Sequence, residues 1–245
     1  MTQLLLLAGS GEARRLAAAL AEMAGIKATA SLAGATRTPE ALALPTRHGG
    51  FGGREAFRDH LRAEGIQAVL DATHPFAVRI SHRTAEVCAE EGLPYAQVLR
   101  PEWTPEPGDD WTFFDREEEA AGFVPEGATV FLGTGPQGLA RFANLQGRRV
   151  ICRRIDPPRN PFPFPGGEYL VGRPPFSVED EVALFRRLGV DWRGGKKSGG
   201  RASRSKLDAA RELGIRVALM RRPAQPAATR FQTVEEALGW VRGLG

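Results

Sequence analysis

The sequence is poor in cysteine and has no long hydrophobic run. Its 245 residues include two cysteines, Cys88 and Cys152, which fall in a predicted helix and a predicted strand without metal-ligand spacing. We interpret both as reduced structural thiols, typical of a cytoplasmic protein. The apolar run at residues 4–8 has the length of a strand, not of a membrane span or a signal peptide. We therefore expect a cytoplasmic protein with no membrane association.

Lysine is also scarce. Four of the 33 basic residues are lysines, so the other 29 are arginines, and the formal net charge is +4. This charge is too small to indicate a nucleic-acid partner, and no aromatic-rich basic module accompanies it. Three of the lysines lie within residues 193–206, a Gly/Ser-rich stretch that we expect to be a loop beyond Arg193. Such a stretch suits phosphate or carboxylate groups, although a solvated charged loop and GC-rich codon usage are alternative explanations.

A complete dinucleotide-binding fingerprint is absent. The strand predicted at residues 4–8 runs into a Gly-rich turn and then a helix, a combination whose backbone N–H groups can hold an anion. Arg14 stands where the third glycine of the fingerprint would be, so the pattern is incomplete. The residues of this turn are Gly9, Ser10, Gly11 and Glu12.

The most informative stretch is residues 70–77. An apolar run ends abruptly in Asp71, Thr73 and His74, and Pro75 cannot continue the strand ladder. A buried parallel strand finishes in this way at the carboxyl edge of a sheet, where α/β proteins bind ligands. The alternatives are that Asp71 and Thr73 cap the following helix, and that His74 only orders its own loop.

A second glycine cluster precedes the helix predicted at residues 54–64. Glycine is needed where the chain has a positive φ or where a ligand lies against the backbone. We expect a ligand to approach this loop, although a flexible surface connection would have the same composition. Its residues are Gly49, Gly50, Phe51, Gly52 and Gly53.

The order of predicted elements indicates two Rossmann-like α/β domains with mainly parallel sheets. Strand, Gly-rich turn and helix recur in both halves, and a loop rich in Pro and Trp at 100–112 separates them. We place the domains at 1–99 and 100–245. In the second, the strand at 128–132 leads to Thr134 and Gly135 and a helix at 139–144. Turns at the carboxyl edges of the sheets would line an interdomain active-site cleft.

Several motifs together resemble the precorrin-6A reductase and cobalt-precorrin-6A reductase family of cobalamin biosynthesis. The most specific is Asp71-Ala72-Thr73-His74-Pro75-Phe76-Ala77, and the resemblance spans nearly the whole chain. The sequence departs from the family pattern at the opening turn and at Lys197, where an Asn is common. The other motifs are the 49–53 loop, Arg100-Pro101-x-Trp103, Thr134-Gly135, Lys197-Ser198-Gly199-Gly200, Lys206-Leu207 and Arg222-Pro223.

The resemblance implies an NAD(P)H-dependent oxidoreductase that reduces one double bond of a tetrapyrrole, with NADPH as the cofactor and NADH as a possible substitute. His74 is the candidate for a proton donor or for a ligand of a substrate carboxylate, and no metal site is expected. Candidate substrate-binding residues are Asp71, Thr73, Gly50, Phe51, Gly52 and Gly53. Candidate cofactor-binding residues are Gly9, Ser10, Gly11, Glu12, Thr134, Gly135, Lys197, Ser198, Gly199, Gly200 and Lys206.

Two other classes of function fit the same basic, Gly-rich α/β sequence. One is a non-catalytic tetrapyrrole- or nucleotide-binding module, which would bind without pyridine-nucleotide turnover. The other is a Rossmann-type transferase, which the missing dinucleotide fingerprint would permit. The sequence leaves open the oligomeric state, the choice between NADPH and NADH, and whether the substrate carries cobalt.

Overall fold

The chain forms two compact units, each built on a parallel sheet. The computed structural model describes residues 1–34, 41–134, 138–158, 160–200 and 203–244. One unit consists of Met1–Pro101 together with Pro223–Gly245, and the other of Glu102–Arg222. Each unit has a six-stranded sheet, and every recorded strand pairing is parallel. The α/β class with parallel sheets is therefore as the sequence predicts.

The first unit has the strand order β12-β5-β4-β1-β2-β3. Its strands are β1 (Thr2–Ala8), β2 (Ile26–Leu32), β3 (Thr46–His48), β4 (Ala68–Ala72), β5 (Tyr95–Val98) and β12 (Thr229–Phe231). Its helices are α1 (Gly11–Ala21), α2 (Arg54–Ala63), α3 (Val78–Glu90) and α6 (Val234–Arg242).

Strand β1 lies at the centre of this core. Its four leucines, at positions 4 to 7, are fully buried. Leu4 and Leu6 pack with side chains of α1 and α6, whereas Leu5 and Leu7 pack on the other face with α2 and α3. A strand covered by helices on both faces has a continuous apolar sequence instead of an alternating one.

The second unit has the strand order β6-β11-β10-β7-β8-β9. Its strands are β6 (Trp111–Phe114), β7 (Thr129–Gly133), β8 (Arg149–Arg154), β9 (Gly167–Val171), β10 (Trp192–Lys196) and β11 (Arg216–Met220). Its α-helices are α4 (Val178–Leu188) and α5 (Ser205–Glu212). The segments Glu117–Gly122 and Leu139–Leu145 are 3-10 helices.

The end of the chain belongs to the first unit, unlike in the predicted division at 1–99 and 100–245. Strand β12 pairs with β5, with Thr229 opposite Ala96, and so extends the first sheet. Helix α6 buries Val234, Ala237 and Val241 in the core around β1. A three-residue strand is too short to show periodicity, and its partner β5 is about 130 residues away in sequence. The return of the chain to the first sheet could therefore not be predicted.

Strand β10 is longer than the sequence suggests. Gly194, Gly195 and Lys196, which were expected to be loop, pair with β11 and, through the two glycines, with β7. A Cβ atom at Gly194 would lie 2.6 Å from Leu132 Cδ2. Glycine is used here because the neighbouring strand's side chain fills the space, not because the chain turns.

The placement of α6 gives a testable expectation. Leu238 is 9% exposed and packs in the first unit's core, so Leu238→Ala should lower the free energy of unfolding by about 2–5 kcal/mol. In hydrogen exchange, amides of β1, β5 and α1 should lose protection. Val171→Ala, at a residue that is 50% exposed, is the control and should change little. Protection lost only in β7 and β10 would contradict the placement.

Candidate functional site

The ends of β1 and β4 come together at the carboxyl edge of the first sheet. The two strands are parallel neighbours, with Ala8 opposite Ala72. Ser10 caps α1 by accepting from Ala13 N at 3.2 Å, and its hydroxyl donates to Ala72 O at 2.7 Å. The structure thus joins two predicted site segments, residues 9–12 and 71–74.

Gly9 is the point of closest approach between these segments. A Cβ atom there would lie 3.8 Å from both His74 N and Thr73 Cα. A methyl group would make ordinary van der Waals contact at this distance, so the turn and the end of β4 lie within one small side chain of each other.

Asp71 is the centre of a buried hydrogen-bond network. It is 1% exposed. Oδ1 accepts from Thr73 N at 2.9 Å, and Oδ2 accepts from Ser81 Oγ at 2.6 Å and Tyr95 OH at 2.9 Å. Helix α3 has Ala77 at its N-cap without a side-chain cap, so Asp71 does not cap it. The carboxylate instead ties the end of β4 to α3 and β5.

This network also determines the protonation of its neighbours. Burial, together with the negative charge of Asp71, raises the pKa of Tyr95, which therefore stays a hydroxyl donor. The same two causes raise the pKa of Cys88 to about 12. Burial raises the pKa of Cys152 to about 11. Both cysteines are free thiols, and at neutral pH neither is ionised to a reactive thiolate.

His74 is half-buried directly after this network. Its Nδ1 accepts from Phe76 N at 3.3 Å. In the neutral ring the other nitrogen, Nε2, then carries the proton. The two rings of His74 and Phe76 are 5.8 Å apart. Thr73 Oγ1 lies 3.5 Å from Ser81 Oγ, so Thr73 is linked to the Asp71 network.

The 49–53 glycine loop is anchored by its one aromatic residue. Phe51 is 8% exposed and packs edge-on against Phe57 at 4.7 Å. The Arg47 guanidinium lies 3.9 Å from the centre of the Phe51 ring and donates to the carbonyls of Gly49 and Gly50. The Phe51 ring is therefore part of the core, and the exposed members of the loop are Gly50, Gly52 and Gly53.

Arg83, on α3, is a candidate site residue that sequence reasoning missed. Its guanidinium lies 4.6 Å from the Phe57 ring and 5.4 Å from the Phe51 ring. Nε and Nη2 are buried without a hydrogen-bond partner among the described residues. Burial, assisted by repulsion from Arg47, lowers the pKa of Arg83. Nothing in the sequence distinguishes Arg83 from the other arginines. Its position against Phe51 and Phe57 is visible only in the folded structure.

Glu12 already has a partner within the first unit. It pairs with Arg100 at 2.9 Å, and both side chains are largely buried. Burial alone would raise the pKa of Glu12, but its own backbone N–H and Arg100 outweigh this and lower it. The salt bridge joins the first turn of α1 to the Arg100 segment, and the ligand contact at Glu12 stays a prediction.

In the second unit, the three clustered lysines have three different environments. Lys197 Nζ pairs with Glu102 Oε2 at 2.7 Å and lies 5.2 Å from the Phe113 ring. Burial lowers the pKa of Lys196, and the negative charge of Glu117 partly offsets this shift. Lys206 lies near Arg193 and Arg153. The candidate cofactor-binding residues Lys197 and Lys206 thus have different electrostatic surroundings.

The loop at 198–200 is held by its carbonyl groups. Arg222 Nη2 donates to Ser198 O at 3.0 Å, and Trp103 Nε1 donates to Gly200 O at 2.7 Å. Gly199 and Gly200 have φ of 72° and 84°, which disfavours any other residue. Arg222 and Trp103, which belong to two motifs of the family resemblance, thus fix the backbone of a predicted binding loop.

Thr134 follows β7 and is 6% exposed. Its carbonyl accepts a 3.8 Å contact from Cys152 Sγ, whereas its Oγ1 is buried without a partner among the described residues. Gly135, predicted as its neighbour in the site, lies outside the described residues.

Within the described ranges, no three His, Cys, Asp or Glu side chains are grouped closely enough to hold a metal ion. In the same part of the chain, no helix is both long and apolar enough to cross a bilayer.

Comparison with known proteins places the chain in a family. The profile of precorrin-6x reductase CbiJ/CobK matches residues 3–242. The chain belongs to this family. A precorrin-6A reductase from Rhodococcus erythropolis is 43% identical over 246 residues, covering all of this chain and 98% of the relative. A precorrin-6A reductase from Rhodobacter capsulatus is 40% identical over 246 residues, with the same coverage.

A solved structure has the same fold. The protein, named CobK precorrin-6A reductase, superposes with a TM-score of 0.94 at 40% sequence identity. The match covers 100% of this chain and 98% of that structure. The family resemblance drawn from the 71–77 motif is thereby confirmed, and the elements described above are those of the family fold.

The Asp71 network can be tested by a near-isosteric change. Asp71→Asn would place an NH2 group opposite two donors, Ser81 Oγ and Tyr95 OH, which should lower the free energy of unfolding by roughly 2–4 kcal/mol. Tyr95→Phe removes one donor and should cost about 1–2 kcal/mol. Denaturant unfolding of both variants at pH 7 measures this. Equal stability of Asp71→Asn and the parent would show that the network is not structural.

Proposed function

We propose that the protein reduces one double bond of precorrin-6A, using hydride from a nicotinamide cofactor, with NADPH preferred and NADH as a possible substitute. The proposal rests on one observation above all. The chain matches the reductase family from residue 3 to 242, and its most specific motif, residues 71–77, lies at the carboxyl end of β4, where parallel sheets bind ligands. The two curated relatives above are named for the substrate without cobalt, which favours that form.

The first unit offers groups suited to an anionic macrocycle. Two buried nitrogens of Arg83 have no partner within the described part of the chain, and Arg47 also lies against the Phe51 ring. Guanidinium groups bind carboxylates in a bidentate manner. We assign the substrate to this edge, with Thr73 and the backbone of Gly50, Gly52 and Gly53 as further contacts. Asp71 and Phe51, whose side chains are buried, support the site through their neighbours.

His74 is the candidate proton donor in this arrangement. Reduction of a carbon–carbon double bond needs a hydride at one carbon and a proton at the next. With Nδ1 bonded to Phe76 N, the neutral ring carries its proton on Nε2, and protonated histidine carries one on each nitrogen. Histidine ordinarily titrates near neutral pH and so can both release and regain the proton.

The second unit offers groups suited to the cofactor. When bound, the nicotinamide supplies the hydride, which no amino-acid side chain can provide. Thr134 follows the carboxyl end of β7, and its Oγ1 has no partner among the described residues; Lys206 lies in the first turn of α5. A hydroxyl and a basic side chain suit a phosphate-bearing ligand. Lys197, Ser198, Gly199 and Gly200 complete the proposed set. In the first unit, the turn at residues 9–12, with Glu12 engaged by Arg100, offers backbone N–H groups of the same kind and stays among the candidate cofactor-binding residues.

The direct test is anaerobic incubation with precorrin-6A and, separately, with cobalt-precorrin-6A. Each substrate is given NADPH or NADH, and nicotinamide absorbance is followed together with product mass. The proposal predicts a two-hydrogen mass gain that matches cofactor oxidation, faster with NADPH and with precorrin-6A. Tight macrocycle binding without oxidation would identify a binding module. Binding of adenosylmethionine or a nucleotide-sugar in place of NADPH would identify a transferase.

The role of His74 is tested by His74→Gln, which keeps an acceptor near Phe76 N but removes the acid. We expect kcat to fall by about 10²–10⁴-fold with little change in KM, and the acid–base limb of the pH profile to disappear. His82→Gln is the matched control, because His82 on α3 bonds only to Ala224 O among the described contacts. An unchanged kcat in His74→Gln would leave His74 with only a loop-ordering role.

A further inference from the structure

The turn between β4 and α3 carries His74, and one peptide group of this turn is hydrogen-bonded at both of its edges. The carbonyl of His74 accepts from Ala77 N at 2.7 Å, which closes a β-turn with Pro75 and Phe76 at its centre. Pro75 is buried, and proline is favoured at the first central position of such a turn. The peptide group that joins Pro75 to Phe76 therefore lies in the middle of the turn.

The N–H edge of this peptide group determines which ring nitrogen of His74 is the acceptor. Phe76 N donates to His74 Nδ1 at 3.3 Å, just as Asn and Asp side chains in many turns accept from the backbone N–H two residues on. Phe76 does not have a positive φ, which the turn with the reversed central peptide requires. A distance of 3.3 Å is long for a hydrogen bond. A small rotation of the peptide plane would therefore break the contact with Nδ1.

The carbonyl edge of the same peptide group is held by Gln225. Gln225 Nε2 donates to Pro75 O at 2.9 Å and to Pro223 O, also at 2.9 Å. Both partners are carbonyl oxygens, which can only accept, so the nitrogen of the Gln225 amide must face them. Because a peptide group is planar, a bond that fixes the direction of its carbonyl also fixes the direction of its N–H.

Gln225 is itself held in one orientation. Its bond to Pro223 O ties the side chain to its own segment, and the prolines at 223 and 226 restrict the backbone there. Its Oε1 faces Gln97 Nε2 at 3.5 Å, and Gln97 Nε2 lies at the same distance from Asp71 Oδ2. Gln97 is 3% exposed. A side chain that is already ordered in this way holds the turn with little further loss of rotamer entropy.

We propose that Gln225 is a positioning residue for His74 and acts through the peptide group between Pro75 and Phe76. Its bond to Pro75 O keeps the N–H of Phe76 directed at Nδ1, so that the neutral ring of His74 carries its proton on Nε2. A hydrogen bond to the carbonyl also strengthens the N–H of the same peptide group as a donor. The effect of Gln225 on catalysis rests on the proposed role of His74 as proton donor, whereas its effect on the ring does not.

The His74 ring can be observed directly by NMR. The chain has four histidines, so ¹⁵N-histidine labelling gives few ring signals, and the set that is lost in His74→Gln belongs to His74. At a pH where the ring is neutral, the ¹⁵N shifts distinguish a protonated nitrogen from an unprotonated one. We expect a single tautomer, protonated at Nε2, in the parent protein. In Gln225→Met, which keeps an unbranched side chain but has no donor, we expect the proton to be shared between both nitrogens.

Kinetic measurements separate positioning from a loss of stability. Without the bond from Gln225 to the turn, kcat should fall about tenfold with little change in KM. In a protein that already carries His74→Gln, Gln225→Met should lower kcat no further, because two residues that act through one group are not additive. Gln232→Met, at an exposed residue of the same unit, is the matched control and should change neither kcat nor the ring signals.

A second variant, Gln225→Asn, keeps the amide but withdraws it by about 1.5 Å, one carbon–carbon bond. It should give smaller changes in the same direction, and it carries the test if Gln225→Met does not fold. A single tautomer protonated at Nε2 in every folded variant, or an equal loss of kcat with and without His74, would overturn the proposal. A shared proton with an unchanged kcat would support the positioning of the ring and contradict the role of His74 as the acid, so the two failures are distinguishable.

Discussion

Parallel pairing of the strands is the constraint on which the rest of the structure depends. Because all recorded pairings in both sheets are parallel, each strand's carboxyl end lies at the same edge as its neighbours'. Each strand must then be followed by a crossover, and the turn that begins it emerges at that edge. Residues distant in sequence, such as Gly9 and His74, meet there without any specific attraction between them.

Buried polar groups then fix the geometry at each edge. In the first unit, the carboxylate of Asp71 is fully engaged by Thr73, Ser81 and Tyr95, and it rigidifies the segment that bears His74. In the second unit, the buried guanidinium of Arg193 is only partly compensated by Glu181. A satisfied network rigidifies its surroundings, whereas a buried polar group without a partner is costly to stability. The buried charged group is thus fully hydrogen-bonded in the first unit, where it is Asp71, and only partly compensated in the second, where it is Arg193.

Much of the fold could be predicted because it depends on local patterns. The continuous apolar run of β1, the abrupt polar end of β4, and the capping box of α4 that begins at Ser177 are all local in sequence. The return of residues 223–245 to the first unit was not predictable, since β12 has three residues and its partner β5 is remote. Gly194 and Gly195 were wrongly expected to be loop. The sequence does not distinguish a glycine that makes room for the Leu132 side chain from one that allows the backbone to turn.

The candidate site was predictable in position but not in chemistry. The motif at 71–77 located the edge, yet Asp71 proved to be a buried hub and Phe51 a core residue. Arg83 and Arg193 were indistinguishable from the 27 other arginines, because what sets them apart is their burial and the nitrogens that have no partner among the described residues. Lys197 and Lys206, close in sequence, lie in separate environments, since strand β10 and helix α5 direct them differently.

The central claim is that hydride comes from a nicotinamide cofactor and the proton from the protein's exchangeable groups. It is tested most directly by product mass after anaerobic reduction of precorrin-6A with NADPH deuterated at C4 of the nicotinamide, and again with unlabelled NADPH in D2O. The account predicts one deuterium in the product from the cofactor and one from the solvent. A product with both hydrogens from solvent, or no product at all, would contradict it.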